Sequence, residues 1–396
     1  MEKLRIGIDV DNGDFVGGIP PTQKIIRAVS RVLEENSQIH LVLSGNAERI
    51  KEAFNNKVPE SVSILPSTAY CPTEQEIKYP VEGSSLNNLV RETKVRNLGG
   101  FFTIGDTSKV GIEGIHLGRH KKVEKPVLIT PIPRFPSGSF LIGDVGATSS
   151  NQNVDIYADI EDPATFDEEH LRNRKPHLVA LDESARGLYC QGIMLAVFAQ
   201  QNGIIKPRVG LLTIGKENHK GSDTILRTDY LFRKQTENLE NFLEYVGKIE
   251  PKDALLERRV DIVVTEGHTG NLLLKLAEAI IKALKGIYKD TEKNLSTIKK
   301  MLCLPAGVML RKDIQNLRGN YDPDFYNAGI LLGYLGLVGK GHGDSCEDAI
   351  YYGMKRTAEC ISRGVSCKLD EALEAHMPKK PRYSAPVYAT DKKNKK

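Results

Sequence analysis

Val260-Asp261-Ile262-Val263-Val264-Thr265-Glu266-Gly267-His268-Thr269-Gly270-Asn271-Leu272-Leu273-Leu274-Lys275 is the stretch on which the fold turns. Its first part is a short β-branched apolar run, the pattern of a strand buried on both faces. Gly267-His268-Thr269-Gly270-Asn271 follows as a tight polar turn. Apolar residues then recur at Leu273, Leu276, Ala277, Ile280, Ile281 and Leu284, with Lys275, Glu278, Lys282 and Lys285 between them. That spacing predicts a helix with one buried face. In an open α/β sheet, ligands sit at the carboxyl ends of strands, and a helix N-terminus there offers free N–H donors to an anion. Every such sheet needs turns, however, and taken alone this one reads as plain chain reversal.

Working outward, Leu4 to Ile8 is an expected first strand, ending in the acidic turn Asp9-Val10-Asp11-Asn12-Gly13-Asp14. After Pro20-Pro21, Thr22 is placed to cap a helix whose apolar face is Ile25, Ile26, Val29, Val32 and Leu33. His40 to Leu43 returns as a strand. Two strands around one helix favour a parallel sheet. Further strands are expected at Val62–Leu65, Gly100–Ile104, Pro126–Ile129, Ser139–Ile142, Pro207–Gly215 and near Leu243–Val246. Helices are expected at Ala47–Phe54, from Ser84-Ser85 through Val90, at Asp182–Gln201 and at Cys346–Arg363. The class is α/β with a mostly parallel central sheet, one domain over residues 1–376. Residues 377–396, rich in Pro, Lys, Ser and Tyr, read as a disordered basic tail.

Composition narrows the function. The chain has 396 residues, 27% charged, with a net charge of +4. That bias is too small to imply nucleic acid as a partner. The six cysteines, Cys71, Cys190, Cys303, Cys346, Cys360 and Cys367, form no CxxC pair and no zinc-finger spacing, so they read as reduced thiols of a cytoplasmic protein. Cys190 and Cys360 fall on expected helices and are assigned to the core, although Cys360 retains a minor reading as an acyl-carrying nucleophile. The start, Met1-Glu2-Lys3-Leu4-Arg5, leads straight into a strand, so no signal peptide is expected. There is no full Walker A sequence, no GxGxxG opening a helix after the first strand, no HExxH and no GxSxG. What recurs is a polar, Gly-containing turn at a strand end, at residues 9–14, 105–108, 143–148, 215–223 and 267–271. On one parallel sheet, five such turns would line one cleft.

In this order the turns resemble the PlsX-type phosphate acyltransferases. The resemblance is carried by Asp261 to Lys275 around Thr269-Gly270-Asn271, and by Val209 to Gly215 followed by Glu217 and Lys220-Gly221. Tyr326-Asn327-Ala328-Gly329, Leu331-Leu332-Gly333, Gly336 and Lys340-Gly341-His342-Gly343 extend it. So do the first strand with Asp9, Gly13 and Asp14, and the Asp144-Val145-Gly146-Ala147 turn. Three positions depart from the family pattern. Asn12-Gly13 replaces a double glycine, Asp106 of Gly105-Asp106-Thr107-Ser108 stands where the family has Asn, and Thr148 replaces Asn.

The resemblance implies a Rossmann-like α/β/α sandwich and a homodimer with no metal or organic cofactor. It implies transfer of a fatty acyl group from acyl carrier protein to inorganic phosphate, for phospholipid synthesis, by an enzyme that is cytoplasmic or peripheral on the inner membrane face. Such an enzyme holds a phosphate dianion beside a thioester and stabilises the developing oxyanion. The residues assigned to that chemistry are Lys220 as a point charge, Asn271 with the backbone N–H groups around it, and His342 as a hydrogen-bond or proton donor. Asp9, Gly13, Asp14, Gly105, Asp106, Thr107, Asp144, Gly146, Gly221, Gly267, Thr269 and Gly270 are assigned to substrate or phosphate binding. Residues 295–317, with basic residues flanking Met301-Leu302 and Val308-Met309-Leu310, read as an amphipathic segment facing an anionic membrane. Two rivals stand beside this reading: a short-chain acyl-CoA:phosphate acyltransferase, and a non-catalytic acyl- or carrier-protein-binding scaffold at the membrane.

Overall fold

The computed structural model describes residues 3–13, 19–69, 81–134, 138–143, 176–294 and 328–378. Asp14, Asp144, Gly146, the 295–317 segment and the tail beyond Pro378 lie outside them.

The described strands are β1 (Leu4–Asp9), β2 (Ile39–Gly45), β3 (Val62–Pro66), β4 (Gly100–Thr103), β5 (Val127–Pro133), β6 (Ser139–Ile142), β7 (Arg208–Leu212), β8 (Glu244–Ile249), β9 (Ile262–Val264), β10 (Gly329–Leu332) and β11 (Leu337–Lys340). They join one sheet in the order β3-β2-β1-β4-β11-β10-β5-β6-β9-β7-β8. Neighbours are parallel except at three joints, β11–β10, β10–β5 and β5–β6. The sheet is therefore mostly parallel, but three reversals in a row invert its sense. β6, β9, β7 and β8 run opposite to β1, β2, β3, β4 and β11.

Helices cover both faces. The described ones are α1 (Pro21–Glu35), α2 (Ala47–Ala53), α3 (Ser85–Lys94), α4 (Thr107–Leu117), α5 (Pro176–Gln201), α6 (Asp223–Lys234), α7 (Thr236–Leu239), α8 (Pro251–Leu255), α9 (Gly267–Asn294), α10 (Glu347–Ser362) and α11 (Val365–His376). Strand alternation makes the two layers. Phe102 packs with α1 and α10, whereas Phe101 beside it packs with α3 and α4. In the other half Ile262 and Val264 face α5, α6 and α11, and Val263 faces α8 and the start of α9. Both faces of β9 are thus buried, as its apolar run predicts. The long uncharged stretch is α5, buried continuously from Leu188 to Ala199.

Several local expectations shift. Thr22 is not the cap of α1. Pro20 takes that position and Pro21 the first helical one, where a fixed φ is pre-organised and the missing N–H has no role. The polar run from Gly267 is the first turn of α9 rather than a loop before it. Of the apolar face expected on α9, Leu273 is buried and Ala277 packs beside it, but Leu276 and Ile280 are exposed. α11 follows α10 directly. Its Val365, Leu369, Ala372 and Leu373 carry a helical spacing that the sequence reading passed over. No helix among the described residues is long and apolar enough to cross a membrane.

Candidate functional site

The sense reversal sorts the strand-end turns into two groups. The first lies at the ends of β1, β4 and β11. Asp9 is 1% exposed, and its carboxylate accepts hydrogen bonds from Thr103 Oγ1 at 2.6 Å, Ser85 Oγ at 2.7 Å and Asn12 Nδ2 at 2.8 Å. Burial raises its pKa, against the pull of those three donors. Thr103 Oγ1 in turn accepts from the Gly105 N–H at 2.9 Å, and its carbonyl accepts from the Gly341 N–H at 2.9 Å. One buried carboxylate thereby fixes the Gly105-Asp106-Thr107 turn and, through Thr103, the start of the Gly341-His342 loop. Gly13 completes the group at φ +119°, a conformation that disfavours a side chain, with the place of a Cβ already taken by Ile104. Asp106 is exposed, Thr107 opens α4, and His342 is half-buried in a loop held by the Lys24 ammonium, which donates to the Ser345 carbonyl at 3.0 Å.

The second group lies at the ends of β6, β7 and β9. Here a single buried cation organises the loop. Lys248, 6% exposed, donates from Nζ to the carbonyls of Glu217, of Asn218 at 2.9 Å and of Lys220 at 3.0 Å. Burial lowers its pKa. Gly221 follows at φ +114° and lets the chain turn into Ser222, whose hydroxyl caps α6. The same hydroxyl donates to Glu266 Oε2 at 3.0 Å and so ties this loop to α9. The Gly270 N–H donates to the Glu266 carbonyl at 2.9 Å. The amides of Gly267, His268 and Thr269 therefore stand ahead of the helical ladder, where an anion finds donors. Gly267 and Gly270 are buried, a Cβ at Gly270 would press on Thr265 and approach the Gly143 carbonyl, and Thr269 and Asn271 are exposed. Beneath them Gln191, 1% exposed, accepts from the Thr265 N–H at 3.3 Å, while its Nε2 has no partner.

The expected residues therefore assemble as Asp9, Gly13, Gly105, Asp106, Thr107 and His342 in one group, and Lys220, Gly221, Gly267, Thr269, Gly270 and Asn271 in the other. The one parallel sheet expected beneath these turns is corrected to two oppositely running halves, with one group of turns on each. Burial lowers the pKa of Lys340, which ends β11; the charges of Asp106 and Asp344 oppose that shift and Lys275 adds to it. Among the described residues no cluster of His, Cys, Asp and Glu is arranged to hold a metal ion.

With that geometry in place, the comparisons decide the family. The family model described as "Fatty acid synthesis protein" matches residues 4–158 and 179–368. The chain belongs to that family. It is the PlsX-type family that the motifs resemble. The phosphate acyltransferase of Bacillus pumilus is 27% identical over 375 residues, covering 94% of this chain and 98% of its own length. That of Brachyspira hyodysenteriae is 28% identical over 387 residues, covering 93% and 96%. Among solved structures, the EutD phosphotransacetylase from Staphylococcus aureus matches with a TM-score of 0.53 at 12% identity, over 91% of this chain and 94% of its own. A phosphotransacetylase from Streptococcus pyogenes matches with a TM-score of 0.51 at 12% identity, over the same shares. At such identity this likeness speaks for the fold alone.

Within this family member the cysteines keep the place the sequence assigns them. Cys190 and Cys360 are buried, and burial pushes each thiol up to about 12. A buried thiol far from ionisation is a poor nucleophile at neutral pH, which favours the core reading of Cys360. The sequence reading missed Lys248 and Gln191. Each is a lone polar residue in an apolar strand or helix, and the only signal available was that an unpaired polar group in such a run needs a partner.

Proposed function

We propose that the protein is an acyl-carrier-protein:phosphate acyltransferase that supplies acyl phosphate for phospholipid synthesis. The observation that carries the reading is the donor-rich first turn of α9, tied through Ser222 and Glu266 to the loop that holds Lys220. Family membership and the name borne by the relatives supply the reaction class. In the reaction a phosphate oxygen attacks the thioester carbonyl carbon, the C–S bond breaks, and the carrier leaves as a thiolate that takes up a proton. Phosphate is already nucleophilic, so the protein's tasks are to hold it in line and to stabilise charge on the carbonyl oxygen. The N–H groups of Gly267, His268 and Thr269, the Asn271 side chain and Lys220 suit these tasks, and His342 suits protonation of the leaving sulfur. The homodimer and peripheral membrane contact belong to the same reading.

The test supplies long-chain acyl carrier protein and inorganic phosphate and follows acyl phosphate by phosphorus NMR. Product formation with the carrier-protein thioester, and little with acetyl-CoA, is the expected result. Product from short-chain CoA thioesters alone would replace the donor. Carrier-protein binding with no product from any thioester would make the chain a scaffold.

A further inference from the structure

Gln191 is a polar side chain set into the continuously buried part of α5, 1% exposed between the buried Cys190 and Gly192. Two glycines bring four elements together around it. A Cβ on Gly143, at the end of β6, would lie 3.0 Å from Gln191 Cγ and 2.9 Å from Leu195 Cδ1. A Cβ on Gly270, in the first turn of α9, would lie 2.8 Å from Thr265 Cγ2 and 3.5 Å from the Gly143 carbonyl oxygen. The Gln191 amide is therefore lodged where the ends of β6 and β9 meet the start of α9, beneath the amides of Gly267, His268 and Thr269 that stand ahead of the helical ladder.

Its neighbour fixes which way the amide is turned. The Thr265 N–H needs an acceptor and takes Gln191 Oε1 at 3.3 Å, so the NH2 end is the one left over. Nε2 is buried and has no hydrogen-bond partner among the described residues. A buried donor without an acceptor is costly, and proteins keep one where a water, a ligand or a catalytic task answers it. The other buried or bridging groups of this half are answered, Lys248 by three carbonyls and Ser222 by Glu266. The chemistry of the donor narrows what it serves. An amide N–H is neutral, and here it is already cleared of water. It adds little to the holding of a phosphate dianion, for which a lysine and helix-terminal donors are at hand. It suits an oxygen that is weakly charged at the start of a reaction and strongly charged midway, where a preorganised donor in a water-free site has its largest effect.

We propose that Gln191 is a catalytic donor of this site, its Nε2–H donating to the carbonyl oxygen of the acyl thioester and stabilising the charge that collects there as phosphate adds to the carbon. The assignment deepens the acyl-to-phosphate reading above and rests on it. No bond to Gln191 is made or broken. A phosphate oxygen adds to the carbonyl carbon, the carbonyl π pair moves onto the oxygen that Gln191 holds, and that pair returns as the C–S bond breaks.

The experiment measures acyl phosphate formation from long-chain acyl carrier protein and inorganic phosphate by the full chain, by Q191M and by Q191E, with thermal unfolding of each under the same conditions. Q191M has no donor, and its kcat is expected to fall about 100-fold, the scale of one oxyanion donor, with the KM for phosphate changed less than about threefold. Q191E keeps an oxygen for the Thr265 N–H and exchanges only the donor. Its buried carboxyl gains a hydroxyl donor when it takes up a proton, so the ratio of its kcat to that of the unaltered chain is expected to rise about tenfold or more as pH falls from about 9 to 5.5. A kcat for Q191M within about threefold of the unaltered chain would overturn the assignment and leave the acyltransferase reading standing. A loss seen only as a raised phosphate KM would do the same, and so would a Q191E ratio that stays flat with pH. Should Q191M fail to fold, the Q191E ratio decides alone. No acyl phosphate from the unaltered chain with any thioester would overturn both.

Discussion

The two groups of strand-end turns are built by opposite means. Around Asp9 the turn is held side chain to side chain inside the core, with one carboxylate gathering Thr103, Ser85 and Asn12, and Thr103 passing the restraint on to Gly105. Around Lys248 the loop is held by its backbone, with one ammonium gathering three carbonyls from below and leaving the upper surface, with Thr269 and Asn271, open to solvent. The first device spends its polar groups on the fold, so it sets position and has little left for a ligand. The second keeps its donors free, and so it offers most of the groups expected to touch substrate. A buried, fully partnered residue and an exposed, weakly partnered one therefore make different contributions, although both stand in strand-end turns of similar composition.

The largest effect is expected where the first device is broken. Asp9→Ala leaves three buried donors without their acceptor and should lower unfolding stability by about 3–5 kcal/mol, read from the urea midpoint. A loss under about 1 kcal/mol would put the two groups on the same footing. Next comes Asn271→Ala, an exposed change to a good helix former. Turnover is expected to fall about 100-fold while stability stays within about 0.5 kcal/mol. Parallel losses in both measurements would make the start of α9 structural. Lys248→Met should lower kcat/KM about tenfold, roughly 1.4 kcal/mol, with faster amide exchange across residues 217–222. Unchanged exchange would mean that the carbonyl cage does not hold the loop.

The smallest effect concerns pH. Burial raises the folded-state pKa of Asp9. A carboxyl shifted upward contributes stability that is fully present below its unfolded value of about 3.9 and is lost as pH rises through the folded one. The stability difference between the wild type and Asp9→Asn should therefore narrow as pH rises from about 4, in unfolding curves taken across that window. A gap that widens instead would mean that the folded-state pKa of Asp9 is lowered.

Much of the fold was legible before any coordinates. The β-branched run at Ile262–Val264, the capped start at Ser84 and the polar strand ends are local signals, and the elements read from them lie within a few residues of their expected places, whereas α4, β10, β11 and α11 carried no expectation. The inverted sense of the second half was not legible. It arises because β10 pairs with β11 and β5, and β5 with β6, all antiparallel, and composition carries no record of strand direction. For the same reason the turns read as one cleft. Asp9 stood out in the sequence as an acidic residue at the end of β1, but two of its three partners, Ser85 and Thr103, lie 76 and 94 residues away in the chain.

By itself, then, the sequence determined the α/β class, most element boundaries, the glycine-bearing turns and the family, because these follow from short-range periodicity and from the order of motifs. Only the tertiary structure decided which way each half of the sheet runs and which buried groups hold the turns. Those are consequences of strand pairing and burial across long separations, and a lone lysine in an apolar strand gives no local sign of what it meets when the sheet closes.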